Sequence, residues 1–316
     1  LKTAAPVIAK SSALEAHQIQ SGGFAMTALF YTLMFLMPLR AQQQGYPPAA
    51  PSAPNPFATI HVRGNLYQTT GSVGNAFFYV GKEETLIIDA TITTQTAKML
   101  LSAIKGISDK PIRRVILTHS DGDHVNGLAA FPPNLTIISH ENTRQLMADA
   151  NKTAPVKIPL PNVTFKNDLS LFIDDMEIRL LYFGPAHTSG DIAVLFPAEK
   201  AVIVGDLIFI GRDPLIHRAK NGSSFGLVAA LKAVLQLDAD IYLSGHSEPV
   251  DRKTVENLLA MIEEKQARVK TLAQEGKSLE DVKRIMGVED APARPGGRRW
   301  QSLVEVIFLE LTEKKE

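Results

Sequence analysis

Apolar and polar positions alternate in short runs from Ala58 onward. ATIHVRG, NLYQTT, NAFFYVG and TLIIDA are separated by Gly or charged turns, which predicts successive β-strands. The period then lengthens. Thr93 to Ile107, TTQTAKMLLSAIKGI, repeats its apolar residues at helical spacing. Val115-Ile116-Leu117 reads as a further strand, ending at Thr118-His119. LTIISH, SLFIDD, EIRLLYFG, IAVLFP and AVIVGD follow as strands. Helical patterns fall near Glu141–Asp149 and Phe225–Leu237. Ile241-Tyr242-Leu243 is a last short strand, running into Ser244-Gly245-His246. Beyond Asp251 the chain turns helical: an amphipathic run to about Glu275, then SLEDVKRIMG with Ser278 as N-cap, then Gln301 to Thr312. Strands and helices mix without strict alternation, which predicts layered sheets flanked by helices.

The N-terminal part has a different pattern. Phe24 to Leu39 is sixteen residues without a charge, preceded by Lys2 and Lys10 and followed by Arg40-Ala41-Gln42. About 20 apolar residues are needed to span a bilayer, so the run is short for a stable anchor. Its flanks and length read as an export signal over 1–41, cut after Ala41. That predicts a periplasmic or secreted protein with no stable membrane span after processing; retention of the segment as a membrane anchor is the alternative. Tyr46 to Phe57 holds five Pro in twelve residues and reads as part of an extended linker over 42–57. One folded unit is then expected over 58–316, with a helical extension over 251–316.

Composition narrows the chemistry. The chain has 316 residues, 33 basic and 33 acidic, eight His and no Cys. Zero Cys excludes disulfides, thiolate metal sites and a Cys nucleophile. Even charge supplies no global attraction to nucleic acid, so a small-molecule substrate is expected.

Metal-capable residues gather just after the apolar strands. THSDGDHVNG supplies His119, Asp121, Asp123 and His124; GPAHTSGD supplies His187; VGD supplies Asp206; SGH supplies His246. In an extended loop, residues two apart point the same way, so His119 and Asp121 can share one cation. Six terminal donors and one bridging carboxylate can hold two divalent cations. Such a pair, about 3.5–4 Å apart, clamps the attacking and leaving oxygens of a substrate. It also brings the pKa of bound water from about 15.7 to about 7, a nucleophile that needs neither Cys nor Ser.

These motifs resemble those of the metallo-β-lactamase superfamily, whose first motif is His-x-His-x-Asp-His. Order and spacing are similar from about Ala58 to Val250. The resemblance implies a four-layer αββα sandwich with the metals at one edge. It implies His119, Asp121 and His187 as ligands of one site, Asp123, His124 and His246 as ligands of the second, and Asp206 as the bridge. Asp89, in LIIDA, matches a position behind the cleft that hydrogen-bonds a ligand instead of binding metal. One residue departs from the pattern: Asp121 stands where the family has a second His. A carboxylate is a harder donor, so beside the expected zinc pair it favours manganese or iron. Asp206, where β-lactamases of the family carry Cys or Ser, argues against that activity.

The expected reaction is metal-dependent hydrolysis of an ester, thioester, lactone or amide, with Asp123 also orienting the nucleophile or moving a proton. Rival expectations are β-lactam hydrolysis, phosphodiester cleavage, suggested by Asp121, and a non-catalytic binding module. Single residues also admit blander roles. Asp121 and Asp206 could cap the segments after them. His140 is expected to order the next helix, and His61 to face solvent. His217 and Arg212 either line the cleft or lie in a solvated loop. Trp300 and the apolar positions of the last helix are expected to pack on the core, with a homodimer face as the alternative. RPGGRR (Arg294 to Arg299) reads as a solvated basic turn.

Overall fold

A computed structural model describes residues 57–70, 73–292 and 299–313. The expected export segment and nearly all of the Pro-rich linker lie outside them. Among the described residues no helix is long and apolar enough to cross a membrane.

Four antiparallel strands open the fold: β1 (Ala58–Arg63), β2 (Leu66–Thr70), β3 (Asn75–Val80) and β4 (Thr85–Ile88). α1 (Thr94–Ile107) then crosses over to β5 (Ile112–Ile116), which pairs parallel with β4. A one-turn helix, α2 (Gly122–Val125), runs into a 3₁₀ turn and leads to β6 (Thr136–His140). α3 (Glu141–Thr153) and β7 (Val163–Phe165) complete a seven-stranded sheet ordered β1 to β7. β7 is a strand that periodicity does not reveal. Three residues carry no pattern, and the ladder is extended by Asn162, whose side chain accepts from the Ile137 N–H and donates to the Leu135 carbonyl.

The second sheet has five strands in the order β12-β11-β10-β9-β8. They are β8 (Asp168–Ile173), β9 (Met176–Tyr182), β10 (Ile192–Phe196), β11 (Ala201–Gly205) and β12 (Ile241–Ser244). α4 (Ser224–Val234) separates the last two. α5 (Arg252–Gln274), α6 (Leu279–Met286) and α7 (Leu303–Thr312) follow.

The strand sequences explain the layering. In β10 all five residues are buried. Ile192, Val194 and Phe196 face Phe77, Leu86 and Ile116 of the first sheet. Ala193 and Leu195 face the α4 to α7 layer. A strand covered on both faces needs no polar alternation, which is why IAVLF reads as one apolar run. On the far side, Ala97, Leu100 and Ile104 of α1 pack with Phe78, Ile87 and Val115. The result is the αββα order expected from the motifs, with the C-terminal helices in the outer layer. In α7, Val304, Val306 and Ile307 are buried in that layer, so its apolar face is used within the chain.

Candidate metal centre

The loops after β5, β9, β11 and β12 meet at one edge of the sandwich. After β5 the backbone bends at Thr118 and is extended again at Asp121, whose φ of −74° and ψ of 146° precede the single turn of α2. Asp121 sits at the N-cap position but makes no capping hydrogen bond. Its carboxylate instead faces His187 at 3.2 Å and His217 at 2.7 Å through Oδ2, and Lys220 at 2.6 Å through Oδ1. The His217 contact is close but out of hydrogen-bond alignment, and Nε2 of that ring has no partner.

Asp206, just past β11, lies at the centre. Its Oδ1 is 3.3 Å from His124 Nε2, and its Oδ2 is 3.1 Å from His246, 3.7 Å from His187 and 3.8 Å from His119. Asp123 Oδ2 is 3.3 Å from His246 Nε2 and 3.6 Å from His124 Nε2. All seven residues expected from the motifs therefore converge. Their donor atoms form three clusters: His119, Asp121 and His187; His119, His124 and Asp206; Asp123, His124 and His246.

The ring nitrogens turned away from this cluster show what it is built to hold. His187 Nδ1 is 2.7 Å from the Leu215 carbonyl, and His246 Nδ1 is 3.0 Å from the Val73 carbonyl. Carbonyls only accept, so both Nδ1 atoms carry hydrogen. His124 Nδ1 donates to Asp89 Oδ2 at 2.8 Å. Thr118 Oγ1 gives its hydrogen to Asp89 and so accepts from His119 Nδ1, at 3.0 Å. With Nδ1 engaged on its far side, each ring turns Nε2 to the centre, among carboxylate oxygens: His187 Nε2 toward Asp121 Oδ2 at 3.2 Å and His246 Nε2 toward Asp206 Oδ2 at 3.1 Å. Positive charge, whether on protons or on metal, is what such a set attracts.

Burial sharpens this. His119, His124 and His187 are essentially inaccessible, and Nε2 of His119, Nε2 of His124 and Oδ1 of Asp206 have no hydrogen-bond partner. Leaving such groups unmet costs about 1–3 kcal/mol each. With protons as the only cations, burial opposes charging the rings, but Asp89 and Asp206 hold the His124 pKa well above its usual value. Burial likewise opposes charge on His187, yet Asp121 and Asp206 lift its pKa to about 9. Burial and the neighbouring His124 hold His119 well below its usual value. Burial works against both carboxylates; even so, His187 and His217 lower the Asp121 pKa, and His124 and His119 lower that of Asp206. The donor set fits divalent metal.

Supporting residues fix the geometry. Asp89, fully buried at φ +65°, binds the Thr118 N–H at 2.8 Å as well as its hydroxyl and His124. Asp191 takes the N–H and hydroxyl of Thr188 beside His187, and burial lifts its pKa to about 6 against the pull of His187. Phe209 stacks on His246, with 5.5 Å between centroids, and walls the centre from a groove running past Arg212 to Leu258, Met261 and Lys265.

His140 caps α3 through Nδ1, which accepts from Asn142 N–H. His61 is exposed. His217 is buried beside Asp121, while Arg212 is exposed with its guanidinium 4.3 Å above Phe209. Trp300 stands 4.6 Å from His217, edge to face. Arg299, read as part of a solvated turn, pairs with Glu305 at 2.8 Å and Asp290 at 2.7 Å; the rest of that turn, 294–298, lies outside the described residues. Lys220 is the functional candidate that sequence reading missed. Its only trace there is its place in the Asp206–α4 segment that already carries His217.

The family model for the metallo-beta-lactamase superfamily matches residues 69–246. The alpha subunit of 2,4-dinitroanisole O-demethylase from Nocardioides sp. (strain JS1661) is 26% identical over 202 residues, 63% of this chain and 60% of that one. Linear primary-alkylsulfatase from Pseudomonas sp. (strain ATCC 19151) is 24% identical over 227 residues, 57% of this chain and 42% of that one. The chain thus spans less than two thirds of either relative. A metallo-beta-lactamase from Pontibacter korlensis superposes with a TM-score of 0.59 at 19% identity, over 66% of this chain and 99% of that one.

Proposed function

Because the chain belongs to the metallo-β-lactamase superfamily, whose members are hydrolases, we propose that it is a binuclear metal-dependent hydrolase of a small molecule, acting on an ester, thioester, lactone or amide bond. The observation that carries this is the set of four Nε2 atoms turned onto Asp206, each ring held by a hydrogen bond at its far side. His119, Asp121 and His187 would hold one divalent ion and Asp123, His124 and His246 the other, with Asp206 between them; zinc suits the imidazoles, and Asp121 admits manganese or iron. A divalent pair supplies a Lewis acid for the scissile carbonyl and an acidified water.

The chain's own residues do the rest. Asp123 and His246 are the most open of the seven side chains, 17% and 18% exposed. Asp123 therefore reaches both the buried cluster and incoming substrate, and is placed to take a proton and pass it to the leaving group. Asp89, Leu215 and Val73 fix ring tautomers and orientation. The charge-free Phe24–Leu39 run supports a periplasmic or secreted location.

Elemental analysis of the purified full chain, with a panel of esters, thioesters, lactones, nitrocefin, a primary alkyl sulfate, an aryl methyl ether and a phosphodiester, tests this reading. Two divalent ions per chain are expected, with carbonyl-ester turnover lost on chelation and in the His124→Ala, His187→Ala double variant. A metal-free protein, or turnover indifferent to that variant, refutes it. Turnover restricted to nitrocefin or the phosphodiester reassigns the substrate to the β-lactam or nuclease class.

A further inference from the structure

Asp121 brings a problem with it. A carboxylate in place of imidazole adds one negative charge to a pocket already holding Asp89, Asp123 and Asp206. It also brings a second oxygen and a free torsion that can turn the donor away. Asp121 is 13% exposed, so little water screens it.

The chain answers with a cation delivered by a rigid turn. Arg218–Lys220 form a 3₁₀ turn closed by Asn221 in the left-handed region. That turn is bolted to the His187 loop by three backbone bonds: His217 N–H to the His187 carbonyl at 2.8 Å, Ser189 N–H to the Lys220 carbonyl at 2.9 Å, and Ser223 N–H to the Ala186 carbonyl at 2.7 Å. Gly222 lets the two strands of this contact touch, since a Cβ there would lie 2.3 Å from the His187 carbonyl oxygen. Lys220 Nζ, on this scaffold, donates to Asp121 Oδ1 at 2.6 Å and to the Ser120 carbonyl at 3.3 Å. Occupying Oδ1 leaves Oδ2 as the oxygen facing His187. His217, nine-tenths buried, closes the other side.

We infer that Lys220 is the positioning residue that makes Asp121 a working metal donor, by neutralising the charge that Asp adds and holding Oδ2 toward the His119–His187 pocket. The inference rests on the metal-centre reading above. It sets orientation and charge balance against the direct repulsion between an ammonium and a dication. Orientation wins because the ammonium lies behind the carboxylate, on the oxygen that does not face the rings. An ammonium left without its carboxylate has only the repulsive effect. Lys220 should therefore help metal binding when residue 121 is Asp and harm it when Asp121 is changed to His.

The test is zinc binding to the full chain, stripped and reloaded against a competing chelator. The single tryptophan, Trp300, 4.6 Å from His217, supplies an optical readout independent of turnover. With the native chain binding two zinc ions, Lys220→Met, which keeps most of the stem, and the shorter, uncharged Lys220→Gln should weaken one of them by roughly 10–100-fold, the usual effect of removing a ligand's hydrogen-bond partner. Lys220→Arg should retain most of the affinity. In the Asp121→His background the sign should reverse, with Lys220→Met binding the same zinc more tightly. A merely structural lysine would weaken both backgrounds alike. Equal or tighter zinc binding by Lys220→Met and Lys220→Gln in the Asp121 background overturns the inference and leaves the metal centre standing. A native chain that binds no zinc overturns the metal-centre reading beneath it.

Discussion

Asp89 lies behind the proposed centre and binds no substrate, yet Asp89→Asn should cost the protein a metal. The carboxylate accepts three hydrogen bonds: from Thr118 N–H on Oδ1, and from Thr118 Oγ1 and His124 Nδ1 on Oδ2. Asn can keep the first. It then presents NH₂ where Oδ2 stood, to a ring nitrogen 2.8 Å away that already carries hydrogen. The clash is relieved if His124 changes tautomer, and that places the proton on Nε2, the atom facing Asp206. Stability should change modestly. Bonds to a carboxylate, at about 1.5–3 kcal/mol each, give way to neutral ones at about 0.5–1.5. Removing a buried charge returns part of that loss, as its own desolvation penalty disappears. A net loss of about 1–3 kcal/mol in metal-free protein is expected. Asn also tolerates the +65° φ of this position, which Ala does not. Zinc affinity should fall further than stability, at least about 10–100-fold at the site using His124. Urea unfolding of metal-free protein and a two-site zinc competition titration measure the two quantities separately. A variant whose two zinc affinities stay within about twofold of native would refute the tautomer argument, since partner loss alone predicts more.

Two further outcomes follow from the same geometry. Gly245→Ala places a Cβ 2.4 Å from Asp206 Oδ1 and 2.7 Å from His124 Cε1; it should lower stability by about 1–3 kcal/mol and reduce bound zinc, whereas Gly106→Ala, with open space around it, should do neither in the same melting and elemental assays. His140 titrates below the usual 6.5, because burial outweighs the Lys166 carbonyl that favours its charge. The unfolded chain then binds the proton more readily, so this group's contribution is intact above about pH 6.5 and is lost as pH falls below it. Replacing His140 by Asn, which also caps helices, should flatten that part of the stability curve in urea titrations at pH 7.5 and 5.5; an unchanged difference between native and variant at the two pH values would count against it.

Periodicity exposed β10 and β11 because both faces of each are buried, and buried strands leave unbroken apolar runs. It exposed α1 and α5 because one face of each is covered. It missed β7, where three residues carry no period and a side chain, Asn162, continues the ladder. The seven candidate ligands were legible as a set because polar residues directly after apolar strands are costly unless something binds them. Asp121 was legible as a departure that alters metal preference, but the lysine that meets it was not.

What the sequence determined by itself was the run of strands and helices and the chemistry of the sheet edge, since burial and residue type are written locally; the layer order was implied by the family resemblance. What only the tertiary structure decided was which groups complete each ligand. Lys220 meets Asp121 across 99 residues and Val73 meets His246 across 173, while Asp89, whose supporting role the resemblance implied, finds His124 as its partner across 35. Those partners arise from packing two sheets and their loops, and no period along the chain records them.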